Sequence, residues 1–174
     1  MRIDVPSLRE GENSLEFVES PQSLELGAEA AEFGPDIKVR LRLQRHNNEI
    51  VVWGNASGSL SEECSRCLGR GERKFDVEFE IFCDKIGARR DERPEDDRGT
   101  DTFLAHHDGR VLDIAPCVRE ALMLSLPMKP LCSEDCKGLC AVCGANLNET
   151  TCECGKGTPE TRWSILERLK REQK

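Results

Sequence analysis

The chain has no tyrosine, two tryptophans and six phenylalanines. So few aromatics argue against a module that stacks bases on aromatic side chains. Only three histidines occur, His46, His106 and His107. None sits in HExxH, or in H-x-E paired with P-C-x-x-C, so zinc protease and deaminase chemistry lack their general base. No glycine-rich phosphate cradle is present. The longest apolar runs, IVVW and ALMLSLP, fall far short of the ~20 residues that cross a bilayer. The opening MRIDVPSLREGENS has no apolar signal core, so a cytoplasmic location is expected, with no membrane partner. Positive charge is also short: 25 Lys+Arg against 33 Asp+Glu give −8 over 174 residues. A uniformly basic nucleic-acid binder is thereby excluded, and any RNA contact must use a local patch.

What the chain does have is ten cysteines. In a reducing compartment, clustered cysteines are metal ligands or redox centres before they are disulfides. Eight form four close pairs: Cys64/Cys67, Cys132/Cys136, Cys140/Cys143 and Cys152/Cys154. Zinc takes four thiolates in a tetrahedron, and a short-spaced pair on a tight turn supplies two at once. Four pairs permit two structural zinc sites. CAVCG reads as a zinc knuckle, with Gly144 allowing the unusual backbone after it. Cys140, Cys143, Cys152 and Cys154 then form one site. Cys64, Cys67, Cys132 and Cys136 form the other, stapling the strand region to the C-terminal segment. The rival partition joins Cys132, Cys136, Cys140 and Cys143, but Lys137, Gly138 and Leu139 leave little chain for the reversal. Cys83 and Cys117 lie on apolar faces and read as core residues.

The first 35 residues hold eight acids and two arginines and read as weak strands and a loop. Ile37, Val39, Leu41 and Leu43 alternate with Lys38, Arg40, Arg42 and Gln44, the signature of a strand with one buried face. Asn47-Asn48 is a turn, Ile50 to Leu60 a second strand and Phe75 to Cys83 a third. Gly54, Ala56 and Gly58 permit bending or close backbone approach in the second. The charged stretch 88–102 reads as a solvated loop. Helical spacing of Ile114, Cys117, Val118, Ala121 and Leu122 predicts a helix over 113–126, capped by Asp113. Thr158-Pro159 opens a last helix carrying Trp163, Leu166 and Leu169.

These elements predict an α+β fold: an antiparallel sheet or partly curled barrel packed on a helix, with a C-terminal zinc-ribbon-like segment. Residues 1–126 form the β domain, and residues 127–174 the cysteine-rich segment and final helix. Three basic groups are candidate phosphate contacts: Lys38, Arg40 and Arg42; Arg66, Arg70, Arg73 and Lys74; and Arg168, Lys170 and Arg171.

SEECSRCL, LPMKPLCSEDCKGLCAVCGANLN and TRWSILERLK, in that order, resemble the bacterial YceD family of large ribosomal RNA subunit accumulation proteins. Ala141 stands where that family commonly has proline. The resemblance implies a non-enzymatic role in accumulation of large-subunit rRNA, hence in ribosome assembly. The expected partner is precursor rRNA or a ribosomal protein, with no small-molecule substrate and no catalytic residue. The thiolate pairs also leave room for a redox-switched zinc chaperone. The known chaperone of that kind has CxC before CxxC, the reverse of the order here.

Overall fold

The structure, a computed structural model, describes residues 1–27, 31–86 and 102–154. The chain divides into two compact units. One is Met1–Ser65 with Gly69–Cys132, and the other is Arg66–Leu68 with Ser133–Lys174.

The first unit is built on a sheet of β2 (Gly11–Glu19), β3 (Ala31–Phe33), β4 (Ile37–His46), β5 (Glu49–Glu63), β6 (Arg70–Lys85) and β7 (Thr102–His107). Its order is β2-β4-β5-β6-β7, with β3 added to β5. The alternation in β4 does what period two requires. Ile37, Val39, Leu41 and Leu43 are buried, while Lys38, Arg40 and Arg42 are exposed. A one-residue slip would turn every one of those side chains to the wrong face. Asn47, at a φ of 54°, makes the tight β4–β5 turn. A second, two-stranded sheet pairs β1 (Arg2–Asp4) with β8 (Val111–Asp113).

The antiparallel expectation needs one correction. β7 runs parallel to β6, with Ile81 opposite Phe103 and Cys83 opposite Ala105. A parallel neighbour needs a crossover rather than a hairpin, and a long charged segment separates these two strands. The strand path is open, so no closed barrel forms among the described residues. β7 itself was not expected. It alternates Phe103, Ala105 and His107 inward with Leu104 and His106 outward, and a histidine at an inward position hides the period. His107 is buried, while its neighbour His106 is exposed. Its Nδ1 accepts from the Gly109 N–H at 3.1 Å, so the proton sits on Nε2, 3.2 Å from the Asn48 carbonyl.

The sheet's inner face shares one core with α1 (Ala115–Leu124), whose buried residues are Cys117, Val118, Ala121 and Leu122. α1 lies against β6 and β7. It is shorter than the expected 113–126, and Asp113 belongs to β8. Its carboxylate still accepts the Ala115 N–H at 3.1 Å, a local substitute for the cap. Cys83 and Cys117 are core residues; burial first, and then Cys117 nearby, pushes the Cys83 thiol up to about 12. The expected close approach in β5 occurs at Gly54. Phe79 lies directly opposite, and a Cβ at Gly54 would sit 2.1 Å from its ring. Gly58 receives Phe75 in the same way.

Candidate metal centres

The eight clustered cysteines fall into two groups of four. The sulfurs of Cys64, Cys67, Cys132 and Cys136 all lie within 4.8 Å of one another, and so do those of Cys140, Cys143, Cys152 and Cys154. This partition separates Cys132/Cys136 from Cys140/Cys143, so the rival arrangement is not the one adopted. A tetrahedral ion with Zn–S near ~2.3 Å wants sulfurs about 3.8 Å apart, a spacing inside that limit. The donor set fits a soft, thiolate-preferring ion.

Local sequence explains how each turn is held. Cys64 follows directly on β5, and its N–H donates to the Gly69 carbonyl at 2.9 Å. Ser65 donates to the Pro130 carbonyl twice, from its N–H at 2.9 Å and its Oγ at 3.0 Å. Leu68, at a φ of 57°, turns the chain sharply after Cys67. The Arg66 guanidinium donates to the carbonyls of Cys136 at 2.9 Å and Glu134 at 3.3 Å. Asn148 does two jobs that its sequence position did not advertise. Its Nδ2 donates to the Cys136 sulfur at 3.3 Å, and its Oδ1 accepts the Lys137 N–H at 2.8 Å. Such partners orient ligands and damp their charge.

In the second group the knuckle closes as its sequence suggests. Gly144, at a φ of 73°, donates its N–H to the Cys140 carbonyl at 2.9 Å, and the Cys140 N–H donates to Ala145 at 2.8 Å. A single bridge joins Leu139 to Asn146. Among the described residues of this segment, turns replace the hairpin strands of a ribbon. The N–H groups of Cys143 and then Val142 pull the Cys140 thiol down to about 6. Cys152 is pushed up, chiefly by its thiol contact with Cys140. Cys154 is pushed up to about 11, first by Cys143 and then by desolvation. Metal binding displaces the protons of such thiols.

The two groups differ in enclosure. Cys64, Cys67 and Cys136 are buried and Cys132 is exposed; in the second group Cys143 is exposed and the other three are half-buried.

Lys38, Arg40, Arg42, Arg66, Arg70, Arg73 and Lys74 are all exposed. Arg70 pairs with Glu32 at 2.6 Å, holding that carboxyl below its ordinary range, and Arg73 pairs with Glu62 at 2.6 Å. Arg66 donates from one guanidinium nitrogen to the Cys136 and Glu134 carbonyls. Arg168, Lys170 and Arg171, with the expected last helix and most of the loop 88–102, lie outside the described residues. Arg45 was not singled out by sequence. It donates to the carbonyls of Val5 and Leu8 at 2.9 and 2.8 Å, tying the N-terminal segment to β4.

Fold and sites together define a mixed-sheet protein with two four-cysteine groups, each able to hold a metal ion. Comparison with known proteins supplies the family. Residues 52–170 match the model of the large ribosomal RNA subunit accumulation protein YceD, and the chain belongs to the YceD family. An uncharacterized protein of Mycobacterium leprae is 28% identical over 67% of this chain and 51% of its own length. One from Mycobacterium bovis is 28% identical over 75% of this chain and 60% of its own length. The chain therefore spans between half and two thirds of these relatives. An Arabidopsis thaliana protein named large ribosomal RNA subunit accumulation protein YCED homolog 1, chloroplastic, is 34% identical over 34% of this chain and 18% of its own length. No solved structure matches. Among the described residues, no helix is long and apolar enough to cross a membrane.

Proposed function

We propose that the chain supports accumulation of large-subunit ribosomal RNA as a non-enzymatic assembly factor of the cytoplasm, acting by binding precursor rRNA or a ribosomal protein. Family membership is the observation that carries this reading. The cysteine groups support it in a second way. Two closed sets of four thiolates suit structural zinc, which fixes shape and leaves no open position for water. In this reading Cys64, Cys67, Cys132, Cys136, Cys140, Cys143, Cys152 and Cys154 hold two ions, and no residue does covalent chemistry.

Depletion of the chain from cells that make it should lower large-subunit rRNA relative to small-subunit rRNA, and the chain should sediment with pre-ribosomal particles at low salt. Unchanged rRNA ratios, or absence from those particles, would remove the proposal. The exposure of the second cysteine group favours one alternative, a chaperone switched on by oxidation. That alternative requires mild peroxide to expel metal and to confer suppression of aggregation; metal that survives peroxide disposes of it.

A further inference from the structure

Asn148 belongs to one cysteine group by position and to the other by contact. It lies in the eight-residue span between Cys143 and Cys152, both of the second group. Its amide nitrogen donates to the sulfur of Cys136, in the first group, at 3.3 Å. Further bonds fix which way the amide faces. Its Oδ1 accepts the Lys137 N–H at 2.8 Å, and its Nδ2 also donates to the Asn146 Oδ1 at 2.9 Å. The Asn146 carbonyl accepts the N–H groups of Glu149 at 3.2 Å and Thr150 at 2.9 Å. The turn that presents Asn148 is thus bonded to itself.

Only Lys137, Gly138 and Leu139 separate Cys136 from Cys140, and each of the three is held. Asn148 takes the Lys137 N–H. The Gly138 carbonyl accepts the Leu147 N–H at 2.9 Å, and the Leu139 N–H donates to the Arg66 carbonyl at 3.1 Å. Gly138 has a φ of 74°, and a Cβ there would stand 3.0 Å from the Arg66 carbonyl oxygen. The link is therefore clamped between the turn that carries Cys67 and the span that closes the second group.

Loading the second group with metal ties Cys143 to Cys152 and closes that span into a ring. Closure removes chain freedom from the residues inside it, Asn148 among them. The donor for the Cys136 sulfur is then already ordered when the first group binds its ion. Coupling of this kind needs no change of shape. We propose that the two groups load cooperatively, metal in the second tightening metal binding by the first, with Asn148 as the positioning residue that transmits the effect. Linkage requires the first group to tighten the second by the same factor. Net negative charge on each loaded group opposes the coupling, but salt screens that repulsion, whereas an ordering effect survives it. The inference rests on the reading that both groups hold metal.

The test titrates the metal-free full chain with zinc ion against a chelator of known affinity, and native mass spectrometry counts the ions bound. Cys152→Ser with Cys154→Ser isolates the first group; Cys64→Ser with Cys67→Ser isolates the second. Each group should bind about tenfold more tightly in the intact chain than in isolation, by the same factor for both and with no loss at raised salt. Asn148→Ala should bring the intact and isolated affinities together. Asn148→Asp keeps the acceptor for Lys137 but sets a carboxylate against the sulfur, so loading the second group should now weaken the first. Circular dichroism confirms that the variants fold. Equal affinities in the unsubstituted chain and in isolation would overturn the proposal, as would an excess that both Asn148 variants leave in place. Fewer than two ions bound by the unsubstituted chain would instead overturn the metal reading itself.

Discussion

The tightest approach in the sheet offers a quantitative test of the register. Gly54 faces Phe79 across β5 and β6. A methyl at Gly54 would lie 2.1, 2.2 and 2.9 Å from three ring carbons of a phenylalanine that is 5% exposed. The ring cannot yield by turning about its own axis, because the methyl would still meet its edge. It must shift into a packed core, at about 1–3 kcal/mol, or leave it, forfeiting a comparable burial energy. G54A should therefore destabilise by about 2 kcal/mol, a large share of a total near ~5–15 kcal/mol. Urea unfolding of the metal-loaded chain measures this, with G27A as control, since no atom lies within 4 Å of a Cβ there. F79A alone should cost about 3–5 kcal/mol. In the double variant the new methyl enters the space the ring vacated, so the costs should fall short of their sum by about 2 kcal/mol. G54A as mild as G27A, or costs that simply add, would refute the register.

Four further outcomes follow from the cysteine groups. C64S with C67S should lower bound metal from two equivalents to one by native mass spectrometry, leaving Cys140, Cys143, Cys152 and Cys154 metallated; two retained equivalents would contradict the grouping. A thiol reagent applied with mild chelator should label the second group before the buried Cys64, Cys67 and Cys136, and peptide mapping that gives the reverse order would contradict the difference in enclosure. N148A removes the amide donor to the Cys136 sulfur and the acceptor for Lys137 N–H, and should weaken metal affinity at the first group about 10–100-fold in competition titrations. Metal loading of the second group at neutral pH should expel protons from Cys152 and Cys154, whose thiols are held above their ordinary range, while Cys140, at about 6, is already thiolate. Affinity should accordingly rise with pH and fall as acid re-protonates the sulfurs, and a dissociation constant flat across about pH 6–8 would refute the coupling.

The parts legible in the chain are those encoded by local chemistry. Alternation in 37–44 and 75–83 announces strands because side chains two apart share a face, whatever surrounds them. The Asn47-Asn48 turn and the knuckle ending at Gly144 are equally local. Other features stayed hidden because their information is distant. β7 pairs in parallel across a long intervening segment, and nothing within Phe103–His107 states its neighbour. The ion pairs of Arg70 with Glu32 and of Arg73 with Glu62 could not be foreseen, because those acids are unremarkable until the strands align. Asn148 was invisible for the same reason, since an amide in a polar stretch gains meaning only beside a sulfur.

Residue order alone determined that this protein would carry strands with one buried face and thiolate pairs at metal-ligating spacing, because both depend on backbone geometry over a few residues. Only the tertiary structure decided which cysteine pairs come together and which cations find an acid beside them. Those outcomes depend on strand register, and register is set by burying the whole apolar face at once.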